Sequence, residues 1–387
     1  MRIVPGIVLA VTAVVLTACS GGSSGPAKES GPSGTDSSSA AAPTTTQPAQ
    51  QDCKAGYLAQ FTLRQKLAQL LTVGVTGADD AANVVKNEQV GGIFIGGWTD
   101  KALLANGLID DVTKASRTPL MVTIDEEGGR VSRLRDLIGA APSARVAAAT
   151  MSVDEYYRFS LGRAQKMKML GLTVDFAPDV DVSSQPDDSV IGDRSYSDDP
   201  DKVVQYADAQ IRALQDAGLG AVMKHFPGHG SGSGDSHTGA VRTPPLEQLQ
   251  DKDLVPYRAL IGSGAAVMVG HLDVPGLTKP DEPASISPEV MQLLRQGTGY
   301  GAAPFDGVIF TDDLSGMAAI TSRMGIAEAV EAALVAGADN ALWITTDALS
   351  SVLDRLVSAV EAGRLPGSQV DASVLRMARF KGTAPQC

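Results

Sequence analysis

Residues 307–313 read Gly-Val-Ile-Phe-Thr-Asp-Asp, a short unbroken apolar run that closes on carboxylates. A continuous Val/Ile-rich run of this length, as opposed to an alternating one, marks a strand buried on both faces. Seven more runs of the kind lie at 68–75, 91–95, 120–125, 172–178, 220–224, 265–270 and 339–344. Stretches of helical period separate them, among others 103–115, 154–170, 246–260 and 320–336, and Gly171, Gly218 and Gly363 stand where helices should stop. Eight β–α units in about 330 residues predict an α/β fold, a (β/α)8 TIM-type barrel forming a single domain over 53–387. An open doubly wound sheet is the alternative. The lack of a Gly-x-Gly-x-x-Gly after the first run weighs against it.

Polar residues cluster at one end of these runs. Asp125 closes the third, Asp179 and Asp181 follow the fourth, Lys224 and His225 the fifth, His271 the sixth, and Asp312 closes the seventh. Helix caps and loop acids account for one or two such positions but poorly for the series, whereas catalytic groups of a barrel sit at the C-terminal ends of its strands.

The chain of 387 residues carries 44 acidic against 32 basic side chains, a net charge of −12, which excludes the basic surface of a nucleic-acid binder. Three Cys and four His without a Cys-x-x-Cys pair exclude a zinc-cluster architecture and a disulfide miniprotein. Aromatic residues are only 4% of the chain, so sugar-stacking surfaces must be few.

The N-terminus reads as an export signal: Arg2, then an apolar stretch over 4–18, shorter than the roughly 20 residues that span a bilayer. Leu16-Thr17-Ala18-Cys19 resembles the lipobox of bacterial lipoproteins, which implies a signal peptide over 1–18 and a lipidated Cys19. An uncleaved anchor helix is the plainer alternative. Residues 20–51 are almost all Ser, Gly, Pro, Ala, Thr and Gln, so 19–52 is expected to be a disordered tether. The domain is then expected outside the cytoplasm, lipid-anchored to the outer face of the cell membrane. In that oxidising setting Cys53 and Cys387 are expected to pair.

Three of the four His fall between 225 and 237, beside Lys224, Asp235 and several Gly. His225-x-x-x-His229 has metal-ligand spacing, but Pro227 and Gly228 break the helix such spacing presumes, so no metal is expected. Asp235-x-His237 reads as a dyad in which the acid orients an imidazole, the side chain whose ordinary pKa lies near neutrality. Asp312, fixed at a strand end, is a candidate nucleophile for an anomeric carbon. Its plainer role is a helix N-cap, which Asp313 or Ser315 could also fill.

These residues resemble the single-domain β-N-acetylglucosaminidases of glycoside hydrolase family three over roughly 55–380. The resemblance rests on Lys-His-Phe-Pro-Gly-His-Gly at 224–230 with Asp-Ser-His at 235–237, and on Thr-Asp-Asp-Leu at 311–314. Further matches are Ile-Asp-Glu-Glu-Gly-Gly-Arg-Val at 124–131, Phe-Ala-Pro at 176–178, Ile-Gly-Asp-Arg-Ser at 191–195 and Pro-Ala-Ser-Ile-Ser-Pro at 283–288. It implies Asp312 as nucleophile, His237 with Asp235 as acid/base, and Asp125, Arg133, Arg194, Lys224 and His225 as ligands of the terminal sugar. His229 is expected only to shape its loop. The implied reaction is retaining, exo-acting removal of terminal N-acetylglucosamine from cell-wall glycans or muropeptides, by a monomer without a cofactor. Alternatives on the same site are a phosphorylase, a β-glucosidase and an inactive sugar-binding lipoprotein; a metal-dependent barrel hydrolase is the remaining rival. Three acidic residues depart from the family pattern: Glu126 in place of Gln, and Asp175 and Asp179 around the Phe-Ala-Pro motif. They suggest a shifted substrate preference.

Overall fold

The computed structural model describes residues 46–387. The signal peptide, Cys19 and the tether up to residue 45 therefore lie outside the described residues. Eight parallel strands form one sheet: β1 (Leu71–Val75), β2 (Gly92–Ile95), β3 (Met121–Ile124), β4 (Val174–Asp175), β5 (Gly220–Phe226), β6 (Ala266–Val269), β7 (Ile309–Thr311) and β8 (Ala341–Trp343). Their order is β8-β1-β2-β3-β4-β5-β6-β7. The two ends meet through a parallel bridge between Phe310 and Asn340, with the Thr311 N–H donating to the Asn340 carbonyl at 3.0 Å. The sheet is thus a nearly closed barrel, and the open-sheet alternative falls.

Each apolar run holds one strand, and every run but 220–224 is longer than its strand. Only Val174 and Asp175 of 172–178 pair as strand, although the Phe176 N–H and the Ala177 carbonyl still bond to the neighbouring strands. The interior is filled from several strands. Phe94 stacks on Phe176 at 5.9 Å, Phe176 meets Phe310 edge-on at 5.4 Å, and Phe310 meets Phe380 at 5.8 Å. Phe94 on β2, Phe176 just after β4 and Phe310 on β7 come from parts of the sheet that are not neighbours, so their rings cross the barrel. Phe380 joins them from the helix Gly367–Phe380; the interior is a packed core and not a pore.

The helices depart from the expected spans in an instructive way. Val153–Met169 is one helix, opened by a capping box between Ser152 and Glu155. The stretch 103–115 is two short helices, Ala102–Ala105 and Ile109–Lys114, parted at Gly107 with φ +69°. Likewise 246–260 divides into Leu246–Leu249 and Val255–Leu260, the second with Pro256 in its first turn, and 320–336 into Ala318–Thr321 and Ile326–Ala336. Gly171, Gly218 and Gly363 do follow helix ends, each with positive φ.

A helix runs from Thr46 to Leu58 and so begins inside the stretch 19–52 expected as a tether. Its Pro48 lies in the first turn, where an N–H would have no partner. Cys53 on this helix is bonded to Cys387, with Cα atoms 5.8 Å apart. Among the described residues no helix is long and apolar enough to cross a membrane.

Candidate active site

The residues that close the strands converge at the C-terminal mouth. The Lys224 ammonium, at the end of β5, donates to Asp125 at 2.7 Å and lies 2.6 Å from Glu127. Arg194, on the turn Gly192–Arg194, grips Glu127 with two N–H bonds of 2.8 and 2.9 Å and sits 3.5 Å from Asp179. His225 faces Asp181 with Nδ1 at 2.7 Å and Arg194 with Nε2 at 3.3 Å. A neutral ring satisfies both, donating from Nδ1 and accepting at Nε2. The other oxygen of Asp181 accepts the His229 N–H at 2.6 Å, which ties the glycine-rich loop to the network.

Burial sets the charges. Burial alone would raise the Glu127 pKa, yet Arg194 and Lys224 hold its carboxyl far below the usual range. Lys224 is pushed upward in turn: Asp125 and Glu127 outweigh the cost of burying the ammonium. Burial lowers His225 to about 4, so the ring is neutral at physiological pH. Asp179 and Asp181 are both raised, by burial first, and for Asp179 by the neighbouring Asp181 charge next.

Asp312 follows β7 and is 8% exposed. Asp313, not Asp312, caps the next turn: it accepts from Ser315 N–H at 2.8 Å, Ser315 hydroxyl at 3.0 Å and Gly316 N–H at 2.9 Å. The N-cap reading of Asp312 therefore falls, and its carboxylate is held only by the Asp313 N–H at 2.9 Å. Burial opposes its ionisation, but His225, His271, that N–H and Lys224 together lower its pKa. His271 braces the strand end, bonded through Nδ1 to the Ser285 hydroxyl at 2.6 Å and donating from Nε2 to the Asp313 carbonyl at 2.7 Å.

The dyad is built as the spacing suggests. Asp235 accepts from the His237 N–H at 2.9 Å and from its Nδ1 at 2.7 Å, leaving Nε2 toward the outside. Burial would raise the Asp235 pKa, and these two bonds lower it. Its loop docks on the segment after Asp312: Ala319 N–H donates to the Ser236 carbonyl at 3.0 Å and Ala318 N–H to that of His237 at 3.4 Å. The ring is 57% exposed and its partner Asp235 41%, whereas the groups at the strand ends are buried or nearly so, as suits a group that exchanges protons with bound molecules.

Two sequence-based expectations change. Glu126 does not face a substrate: its buried carboxylate takes Arg163 at 2.7 Å, the Ser132 hydroxyl at 2.6 Å and the N–H groups of Arg133 and Leu134. Asp175 is likewise internal, accepting the Glu126 N–H at 2.9 Å. Both acids hold the loop after β3, and only Asp179 of the three reaches the site. Conversely, Glu127 carries no expectation of its own from the sequence although it lies inside the 124–131 motif, and Asp181 and His271 stand there only in the series of polar strand ends. Arg133 stands apart from the network: among the described residues its guanidinium makes no ion pair, and its Nε is buried without a partner.

Asp179, Asp181 and His225 are near enough to share a cation. Their shared space is instead faced by the Arg194 guanidinium, and His225 already donates to Asp181. The donor set does not fit a resident metal.

The comparisons with known proteins agree with this geometry. Residues 62–380 match the model of the glycosyl hydrolase family 3 N-terminal domain. The chain is 52% identical over 386 residues to "Beta-hexosaminidase LpqI" of Mycobacterium tuberculosis, covering 98% of this chain and 97% of that one. A solved glycosyl hydrolase of family 3 from Mycobacterium smegmatis superposes with a TM-score of 0.82 at 57% identity, over 84% of this chain and 98% of its own. A family 3 β-N-acetylglucosaminidase from Paenibacillus gives a TM-score of 0.77 at 34% identity, over 84% of this chain and 62% of its own. A closed parallel barrel with its carboxylates, cations and His-Asp pair gathered at the C-terminal mouth, and these relatives, lead to one conclusion: the chain belongs to glycosyl hydrolase family 3 and is a glycoside hydrolase.

Proposed function

We propose that the protein is a retaining, exo-acting β-N-acetylglucosaminidase that removes terminal β-linked N-acetylglucosamine from cell-wall glycan fragments. The observation that carries the reading is Asp312: an ionised, buried carboxylate at a strand end, free of any capping duty, with the loop of the His237–Asp235 dyad bonded to the segment behind it. The relatives named beta-hexosaminidase support the substrate class.

Asp312 attacks the anomeric carbon. As that C–O bond forms, the glycosidic C–O bond breaks, its electron pair leaves with the aglycone oxygen, and His237 donates the proton that oxygen needs. Water then attacks the anomeric carbon of the glycosyl-Asp312 intermediate and gives its proton to His237. Asp312 departs as carboxylate, and two inversions leave the configuration retained. Asp235 fixes the ring through Nδ1, so that Nε2 alone exchanges the proton. Asp125, Lys224, Arg194 and His225, braced by Glu127, form the polar wall for the terminal sugar's hydroxyl and acetamido groups, with Arg133 at the rim.

The test is release of nitrophenol from 4-nitrophenyl N-acetyl-β-D-glucosaminide beside the matching β-glucoside, with and without phosphate. Turnover of the first alone, with free N-acetylglucosamine as product, supports the reading. Preference for the glucoside, or a sugar 1-phosphate formed only with phosphate, overturns it. The sequence over 1–19 and the oxidised Cys53–Cys387 pair support an exported protein anchored through Cys19. Replacement Cys19→Ser should then move it from the membrane to the soluble fraction.

A further inference from the structure

The helices of a barrel run against its strands, so their last turns gather at the N-terminal mouth, away from the candidate site. Two of those turns are basic. Lys166 and Lys168 stand in the last turn of Val153–Met169, and Arg379 in that of Gly367–Phe380. Val153–Met169 opens with Asp154 and Glu155 at its other end. The helix dipole favours each such placement singly. It does not account for what lies between the two helices.

The concavity of that mouth is lined by Lys168, Arg376, Arg379 and Lys381 and, among the described residues, by one carboxylate, Asp306. Asp306 serves both arginines, at 3.0 and 2.8 Å. Lys168 donates to the Gly218 carbonyl at 3.0 Å and Lys381 to Gln69 at 2.7 Å, and neither has a carboxylate partner among the described residues. A chain of net charge −12 thus keeps cations in excess at this mouth. Apolar side chains border them. Met169, next to Lys168, is 79% exposed, the most of any large apolar side chain described. Val335, in the last turn of Ile326–Ala336, is exposed at the same mouth.

The chain also enters the domain on this side. The helix Thr46–Leu58 leads through the capping box at Thr62 into Leu63–Ala68, and from there to the start of β1. Lys381 reaches Gln69 in that connection, and Cys387, a few residues on, holds the entering helix through Cys53.

We propose that the N-terminal mouth is a docking surface for anionic phospholipid headgroups, with Met169 entering the interface beside them. The candidate site then faces away from the membrane. The inference rests on the reading of Cys19 as a lipid anchor and on none of the catalytic assignments. Headgroup phosphates meet Lys166, Lys168, Arg379 and Lys381, and each basic side chain near an anionic bilayer adds to the attraction. An exposed methionine among lysines suits a bilayer surface better than a soluble polyanion, which would use the charge alone.

The test uses residues 20–387, which hold every described element and no lipid. They are sedimented at low salt with vesicles of phosphatidylglycerol and phosphatidylcholine in equal parts, and with phosphatidylcholine alone. The anionic vesicles should bind at least about tenfold more tightly, and roughly 0.5 M salt should abolish the difference. Joint replacement of Lys166→Glu and Lys168→Glu should weaken binding about tenfold or more, and Met169→Ser about threefold. Lys202→Glu, in the first turn of Pro200–Asp216 at the other mouth, should leave it unchanged. Thermal melts like wild type confirm that the variants fold. Equal binding to both vesicles, indifference to the Lys166 and Lys168 reversals, or an equal loss in Lys202→Glu overturns the proposal. So does polyphosphate binding as tightly as the vesicles with Met169→Ser without effect, which marks a polyanion site. Vesicle binding as expected, with the native chain found soluble in cells, sinks the anchor reading and leaves the docking surface standing.

Discussion

The two mouths of the barrel make opposite use of space and charge. At the N-terminal ends of the strands opens a concavity of about 810 Å³, lined among others by Leu120, Val174, Gly220, Val308 and Phe380. Among the described residues its one carboxylate, Asp306, is taken up by Arg376 and Arg379, and its remaining cations Lys168 and Lys381 donate to the Gly218 carbonyl and to Gln69. The C-terminal mouth keeps an uncapped carboxylate in Asp312, an exposed imidazole in His237 and an unpaired guanidinium in Arg133. Volume alone would have pointed to the wrong end. Strand direction points to the right one, since every βα loop leaves the same mouth and can aim a side chain over it.

Four measurements would break or sharpen that contrast. Asp312→Asn should lower kcat by about 10⁴ or more on any β-N-acetylglucosaminide, whereas Asp306→Asn at the other mouth should stay within about twofold. Similar losses in both would erase the distinction. His237→Ala should cost roughly 10²–10⁴ in kcat on disaccharides and much less on nitrophenyl glycosides, whose leaving group barely needs a proton. Steady-state rates on the two substrates check the difference. Glu127→Gln removes the shared counter-charge of Arg194 and Lys224 and should raise KM about 10–100-fold, with a smaller effect on kcat.

The smallest effect belongs to Lys381 at the N-terminal mouth, whose ammonium donates to Gln69 at 2.7 Å and has no carboxylate partner among the described residues. Burial pushes its pKa down to about 8. Below that pH the amine is charged in both folded and unfolded states, so the folded state bears the full burial cost. Between pH 8 and the ordinary lysine value the folded state loses its proton first, and stability rises with pH. Lys381→Met should therefore stabilise the fold at pH 7 by on the order of 1 kcal/mol, a gain that shrinks above pH 8, with activity unchanged. Thermal melts across pH 7–10 would show it.

Much of the architecture was legible because a strand buried on both faces needs continuous apolar sequence, and all eight runs did hold strands. What was not legible was where ladders stop, as after Asp175, and where a helical pattern is interrupted, as at Gly107, because periodicity averages over single residues. The helix beginning at Thr46 was missed for another reason. Its segment was judged by its lack of core-forming residues, while a helix can form on backbone propensity and on being anchored by Cys53. In the candidate site, the residues proposed to touch the substrate stand in short motifs. Their supports do not: Arg194 and Glu127 are 67 positions apart, and Lys224 and Asp125 are 99 apart, so only the closed barrel brings them together. Glu126 shows the converse error, a motif residue that faces inward to Arg163.

The bond between Cys53 and Cys387 has a consequence of connectivity. It closes residues 53–387 into a covalent ring. A single peptide cut anywhere inside the ring, for instance in the glycine-rich loop at 231–239, releases no fragment while the sulfurs stay joined. A protein exposed to foreign proteases would then survive its first nick as one molecule, and only a reducing gel would betray the break.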